Sequence, residues 1–116
     1  MDIFREQANL LKLMAHPMRL QILTVLSQDA ECVCHLSAVL DKPQPYVSQQ
    51  LAVLRNAGII VDQKEGTNVF YGLANGRIGH RVRAVLQPLA GELQAGERSG
   101  HQRIGGCCCP KCNSEA

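Results

Sequence analysis

Cys107, Cys108, Cys109 and Cys112 crowd into the last ten residues of this chain, and the other two of its six cysteines form a Cys-Val-Cys triplet at Cys32 and Cys34. Thiolates are soft donors, so this distribution points to a soft-metal site assembled from two distant pieces, or to redox chemistry at the same sulfurs. Cys109-Pro110-Lys111-Cys112 has the two-residue spacing of a metal knuckle, and the cysteines just before it supply spare donors. The stretch AGERSGHQRIGG over 95–106 is rich in Gly and polar residues and reads as a flexible tether, long enough to swing thiols across a small domain. The competing reading is a disordered tail with incidental thiols. His35 and His101 are borderline ligands that are more simply read as ordinary core or surface residues.

The elements that position the first pair are helical. Phe4, Ala8, Leu11 and Ala15 fall on one stripe, which predicts a first helix ended by His16-Pro17. Pro17 suits the first turn of a second helix, with Met18, Ile22, Val25 and Leu26 repeating at helical spacing. Ser27 to Glu31 is polar and reads as a loop. Val33, Leu36 and Leu40 predict a short third helix, interrupted at Asp41-Lys42-Pro43. The Cys-Val-Cys triplet thus lies at a helix start, where unpaired N–H groups and the positive dipole end favour thiolate over thiol. Residues two apart on a regular helix point to nearly opposite sides, so both sulfurs can meet one ion only if Cys32 precedes the first helical turn. The bland alternative is two packed structural cysteines.

Val47, Leu51 and Leu54 predict a fourth helix, with Pro45 in its first turn and Gly58 as a left-handed cap. Gln44, Tyr46, Ser48 and Gln49 lie on its outward N-terminal half, and amide and hydroxyl side chains can read base edges in a major groove. Helices three and four therefore read as a helix-turn-helix, though a solvated helix face would look the same. Ile59, Val61 and Gln63, then Lys64-Glu65-Gly66-Thr67, then Val69, Tyr71 and Leu73 in alternation with Asn68, Phe70 and Gly72, predict a two-stranded hairpin. A hairpin after a recognition helix is a wing, and Lys64 near its tip could touch a phosphate. Asn75 can cap a last helix striped by Ile78, Val82, Val85 and Leu89, in which Pro88 should introduce a kink or end the regular part. The wide apolar faces of the terminal helices predict a homodimer through those helices, presenting two recognition helices to a palindromic operator; the competing reading is that both helices simply pack on their own domain.

The runs LMAHPMRLQILTVL, ECVCHL, QPYVSQQLAVLRNAGII and KEGTNVFYGL resemble the ArsR/SmtB family of winged-helix metalloregulators over roughly residues 4 to 93. The resemblance implies a homodimeric repressor that holds its operator when metal-free and releases it when a metal or metalloid binds. It matches Gln44, Ser48 and Gln49 to the DNA-facing positions of the recognition helix, with Tyr46 beside them, and the first and last helices to the dimer interface. It also implies that Cys32 and Cys34 sit at the inducer site of the arsenic, cadmium and lead sensors. Where some arsenic sensors carry a third cysteine, this chain has Ser37, and residues 1 to 31 contain no cysteine to replace it. The zinc-type site on the last helix is absent, its positions being Asn75, Arg77, Pro88 and Gly91. Two thiols make a poor cage for As(III), Sb(III), Cd(II), Pb(II) or Zn(II), which leaves Cys107, Cys108, Cys109 and Cys112 as the source of further sulfur.

Composition agrees with a mostly α fold carrying a β-hairpin wing. In 116 residues there is room for one domain, expected over 1–94 with a Cys-rich tail over 95–116. A 46% hydrophobic content with 3% aromatics and no Trp leaves Leu, Ile, Val, Met and Ala to fill the core. The net charge of +2 is too small to indicate nucleic-acid binding by itself, so local placement must carry that inference. No apolar run reaches membrane-span length and no signal-peptide pattern opens the chain, so a cytoplasmic protein with no membrane partner is expected. There, cysteines point to metal or redox work over structural disulfides. No organic cofactor is indicated. Two rival functions remain: a repressor that senses oxidants through a disulfide from Cys32 or Cys34 to the tail, and a metal-buffering protein that binds no DNA. An enzyme is not expected, because the CxxC lies in a tail and not at a helix start after a strand.

Overall fold

Asp2 starts the first helix by accepting the Arg5 N–H at 3.3 Å, and α1 then runs Ile3–Met14. The computed structural model describes residues 2–93. Leu10 and Met14 carry the buried face of α1, whereas the predicted stripe of Phe4, Ala8, Leu11 and Ala15 is exposed, Phe4 at 83% and Leu11 at 50%. The periodicity is real but marks a second apolar face, nearly a third of a turn from the buried one at 3.6 residues per turn. The single chain leaves that face uncovered.

Helix α2 (Pro17–Gln28) begins with a cap that the sequence did not announce: His16 Nδ1 accepts the Met18 N–H at 3.2 Å. Met18, Ile22, Leu23 and Leu26 enter the core. The segment from Ser27 to Glu31, expected as a loop, is mostly ordered into regular elements. Ser27 and Gln28 complete the last turn of α2, and Glu31 opens a short strand, β1 (Glu31–Cys32). Polar character misled here because Glu31, only 1% exposed, is a buried polar residue.

The short helix α3 (Val33–Leu40) buries Leu36 completely and ends on Asp41, held left-handed at φ 56°. Ser37 fixes the turn that follows, its hydroxyl donating to the Lys42 carbonyl while its own carbonyl accepts the Lys42 N–H at 3.1 Å. Helix α4 (Gln44–Asn56) packs back on α3 through Val47, Leu51 and Leu54, and Gly58 at φ +81° ends it as expected.

The wing consists of β2 (Ile60–Glu65) and β3 (Asn68–Leu73), paired antiparallel from Ile60↔Leu73 to Glu65↔Asn68. Lys64 lies within β2 opposite Val69, and Gly66 (φ +65°) makes the turn. The sheet has three strands, not the expected two: β1 pairs with the other edge of β3, giving the order β1-β3-β2 with Cys32 opposite Phe70. Both faces of β3 are used as a result. Tyr71 packs against the main core, and Phe70, 8% exposed, packs with Cys32 in a separate small cluster.

Helix α5 (Gly76–Leu93) returns across α2, burying Val82 and Leu86 and leaving Leu89 43% exposed. Arg83 Nη1 donates to the Ser27 carbonyl at 2.9 Å, fastening α5 to the end of α2. Pro88 does not end the helix, which continues to Leu93. The missing N–H would have bonded the Ala84 carbonyl, and both residues are exposed, so solvent can replace that bond. No helix among the described residues is long and apolar enough to cross a membrane.

Candidate thiol site and DNA-facing surface

Cys32 occupies the last position of β1 and the N-cap of α3, with extended backbone at φ −87° and ψ 165°. Cys34 follows in the first helical turn. The change from strand to helix between them turns what would be opposed side chains into neighbours, and their sulfurs lie 3.0 Å apart. Cys32 thus meets the condition that both thiols need in order to face one point. Cys32 is buried at 4% exposure and Cys34 is half-buried. Cys32 makes no side-chain cap bond, and its place at the N-terminus of α3 sets both thiols beside the positive end of the helix dipole.

Fitting one ion takes little movement. Two thiolates on a tetrahedral ion at a metal–sulfur distance of about 2.3 Å stand about 3.8 Å apart, so the pair has to open by less than about 1 Å. Two sulfurs do not complete a cage, and among the described residues no group of three or more His, Cys, Asp or Glu side chains is placed to hold a metal. Ser37, at the position of a possible third thiol, is committed to the α3–α4 turn. Cys107, Cys108, Cys109, Cys112 and His101 lie outside the described residues.

A buried polar pair beside the thiols was missed in the sequence. His35 Nε2 lies 3.7 Å from Glu31 Oε2, with both side chains 2% exposed. The pair spans the strand–helix boundary and brackets Cys32 and Cys34. Its four-residue spacing was the available signal, hidden by the expectation that 27–31 was a loop.

Gln44, Ser48 and Gln49 are exposed on α4, whereas Val47, Leu51 and Leu54 are buried. Tyr46 is half-buried against the core, so its ring is partly withdrawn from the exposed row. Gln50 was not singled out, and its side-chain oxygen accepts from Arg19 Nε at 2.9 Å. Lys64 is exposed on the wing. An ion pair of Arg55 Nη1 with Asp62 Oδ2 at 3.1 Å links the end of α4 to β2, setting the wing beside the helix.

Comparison with known proteins agrees with this architecture. The family profile described as "Bacterial regulatory protein, arsR family" matches residues 16–61. A biofilm growth-associated repressor of Agrobacterium fabrum is 44% identical over 80 residues, covering 69% of this chain and 68% of that protein. The arsenical resistance operon repressor of Escherichia coli is 44% identical over 66 residues, 56% of each chain. The crystal structure of the transcriptional repressor BigR from Xylella fastidiosa superposes with a TM-score of 0.71 at 33% identity, covering 76% of this chain and 87% of that one. The helix-turn-helix, the wing in its three-stranded sheet and these likenesses lead to one conclusion: the chain belongs to the arsR family of winged-helix, DNA-binding transcriptional repressors and is not an enzyme.

Proposed function

We propose that this repressor answers to a soft ion. As a homodimer it holds a palindromic operator in the cytoplasm when metal-free, and it lets go when Cys32 and Cys34 capture As(III)/Sb(III) or Cd(II)/Pb(II). Zn(II) is a weaker candidate. The observation that carries the reading is the pair of sulfurs 3.0 Å apart at the strand–helix junction. Further donors come from Cys107, Cys108, Cys109 or Cys112, on a tail over 95–116 that is separate from the folded unit of 1–94. The similarity to an arsenical resistance operon repressor supports As(III) among these ions. Dimerisation uses α1 and α5, whose exposed Phe4, Leu11 and Leu89 supply an uncovered apolar face. Gln44, Ser48 and Gln49 read base edges, Tyr46 supports them from the side, and Lys64 meets the phosphate backbone. Ion capture strains the junction of β1 and α3, and a coupling of about 1 to 3 kcal/mol lowers operator affinity about 5- to 150-fold.

The test replaces Cys32 and Cys34 together with Ser, and separately removes residues 95–116. The double variant is expected to bind operator DNA normally and to stay bound when As(III), Cd(II) or Pb(II) is added. The truncated protein is expected to bind DNA normally and to show fewer thiolates per ion by ultraviolet absorption. Normal metal-driven release by the double variant would place the inducer site elsewhere.

The short sulfur–sulfur distance also favours a second reading, in which oxidant replaces the ion. A peroxide oxidises one thiolate to a sulfenic acid, releasing hydroxide, and a second thiol then displaces water to close a disulfide, within the pair or to the tail. Operator release by peroxide in the presence of a chelator separates this reading from the first.

A further inference from the structure

We infer that Arg19 is a positioning residue for the recognition helix, and that through it α1 fixes the spacing at which the two half-sites of an operator are read. Helix α1 ends one turn before Pro17. The Leu13 carbonyl would ordinarily accept the N–H of residue 17, and proline has none. Arg19 supplies the missing donor, its Nη1 reaching the Leu13 carbonyl at 3.2 Å. The same guanidinium donates through Nε to Gln50 Oε1 at 2.9 Å. Gln50 stands next to Gln49 on α4, so one planar, half-buried group joins the end of α1 to the middle of α4. The fork geometry fixes direction as well as distance, which a single ammonium or an apolar contact would not. Gln50 is accordingly committed to the clamp and does not read bases.

The consequence rests on the dimeric operator reading above. With α1 on the two-fold axis, any rotation of α4 relative to α1 changes the separation and tilt of the paired recognition helices. One base pair of extra spacing rotates a half-site by about 35°, so a rigid clamp makes the protein intolerant of such changes.

The experiment uses the full chain and a palindromic DNA selected by the wild-type protein from a randomised pool. Affinities are measured by fluorescence anisotropy at fixed salt for that DNA and for versions with one base pair added to or removed from its centre. The wild type is expected to discriminate steeply. Arg19→Met, which keeps the packed stem, and Gln50→Ala, which leaves the Leu13 bond intact, should each reduce that discrimination about fivefold to tenfold. The double variant should go no further than the weaker single one. Thermal melting of both single variants checks that folding is intact, and Gln50→Ala keeps the question open if Arg19→Met unfolds. If the wild type selects no two-fold DNA, the repressor reading fails and the proposed role of Arg19 goes with it. If it selects one and both folded variants keep wild-type discrimination, the clamp alone is wrong.

Discussion

Gly79 has no room for a side chain. A Cβ at that position would lie 1.7 Å from the Ala74 carbonyl oxygen, and because the obstacle is backbone it cannot rotate away. Gly79→Ala is therefore expected to destabilise the protein by about 1–3 kcal/mol in urea or guanidinium denaturation, as overpacking does. Gly72→Ala, whose Cβ meets nothing closer than 3.6 Å, serves as the mild control. At this scale the sequence was partly legible. Cys32 and Cys34 stood out by their spacing and place before Leu36, and a shared ion would require a non-helical Cys32, which is the conformation that the backbone has. Glu31 and His16 did not stand out, and His35 did so only as a borderline ligand. A carboxylate and an imidazole look like surface residues until a strand buries one beside the other, and His16 caps a helix in place of the usual Ser, Thr, Asp or Asn.

Among the elements, the smallest strand has the largest effect on how a signal could travel. Strand β1 is two residues long, too short for any alternation to reveal it, yet it makes Cys32 a direct neighbour of Phe70 in the wing. The wing as well as α3 is then in contact with the thiol pair. Phe70→Ala is expected to lower the melting temperature modestly and to bring the ratio of operator affinities without and with As(III) toward unity. Thiolate absorption on As(III) titration should stay near wild type. A ratio that stays at the wild-type value would route the signal through α3 alone. The helices themselves were readable because each carries several apolar residues at 3.6 spacing, with Pro17, Pro45 and Gly58 marking their ends. What periodicity could not supply was the partner of each stripe. Phe4, Ala8, Leu11 and Ala15 have the pattern of a core face and lie outside the core of the single chain.

The whole molecule, on this account, is completed by its own copy. Phe4→Glu places a charge at a residue 83% exposed in the single chain, so the fold should survive while sedimentation shifts from dimer to monomer. Operator affinity should fall with it by a factor of ten or more, because half a palindrome is a weak site. The unequal burial of the two thiols adds a consequence in time. On the proposed soft-ion reading, an ion arriving from solvent would meet Cys34 first, since Cys32 is 4% exposed and packs with Phe70. Capture is then ordered, with a fast encounter at one sulfur followed by a slower closure onto the other. In stopped-flow measurements the rate of operator release should rise with ion concentration and then level off, and the plateau would report how often the junction of β1 and α3 opens. On that reading, the repressor would ignore brief contact with an ion and respond to one that stays.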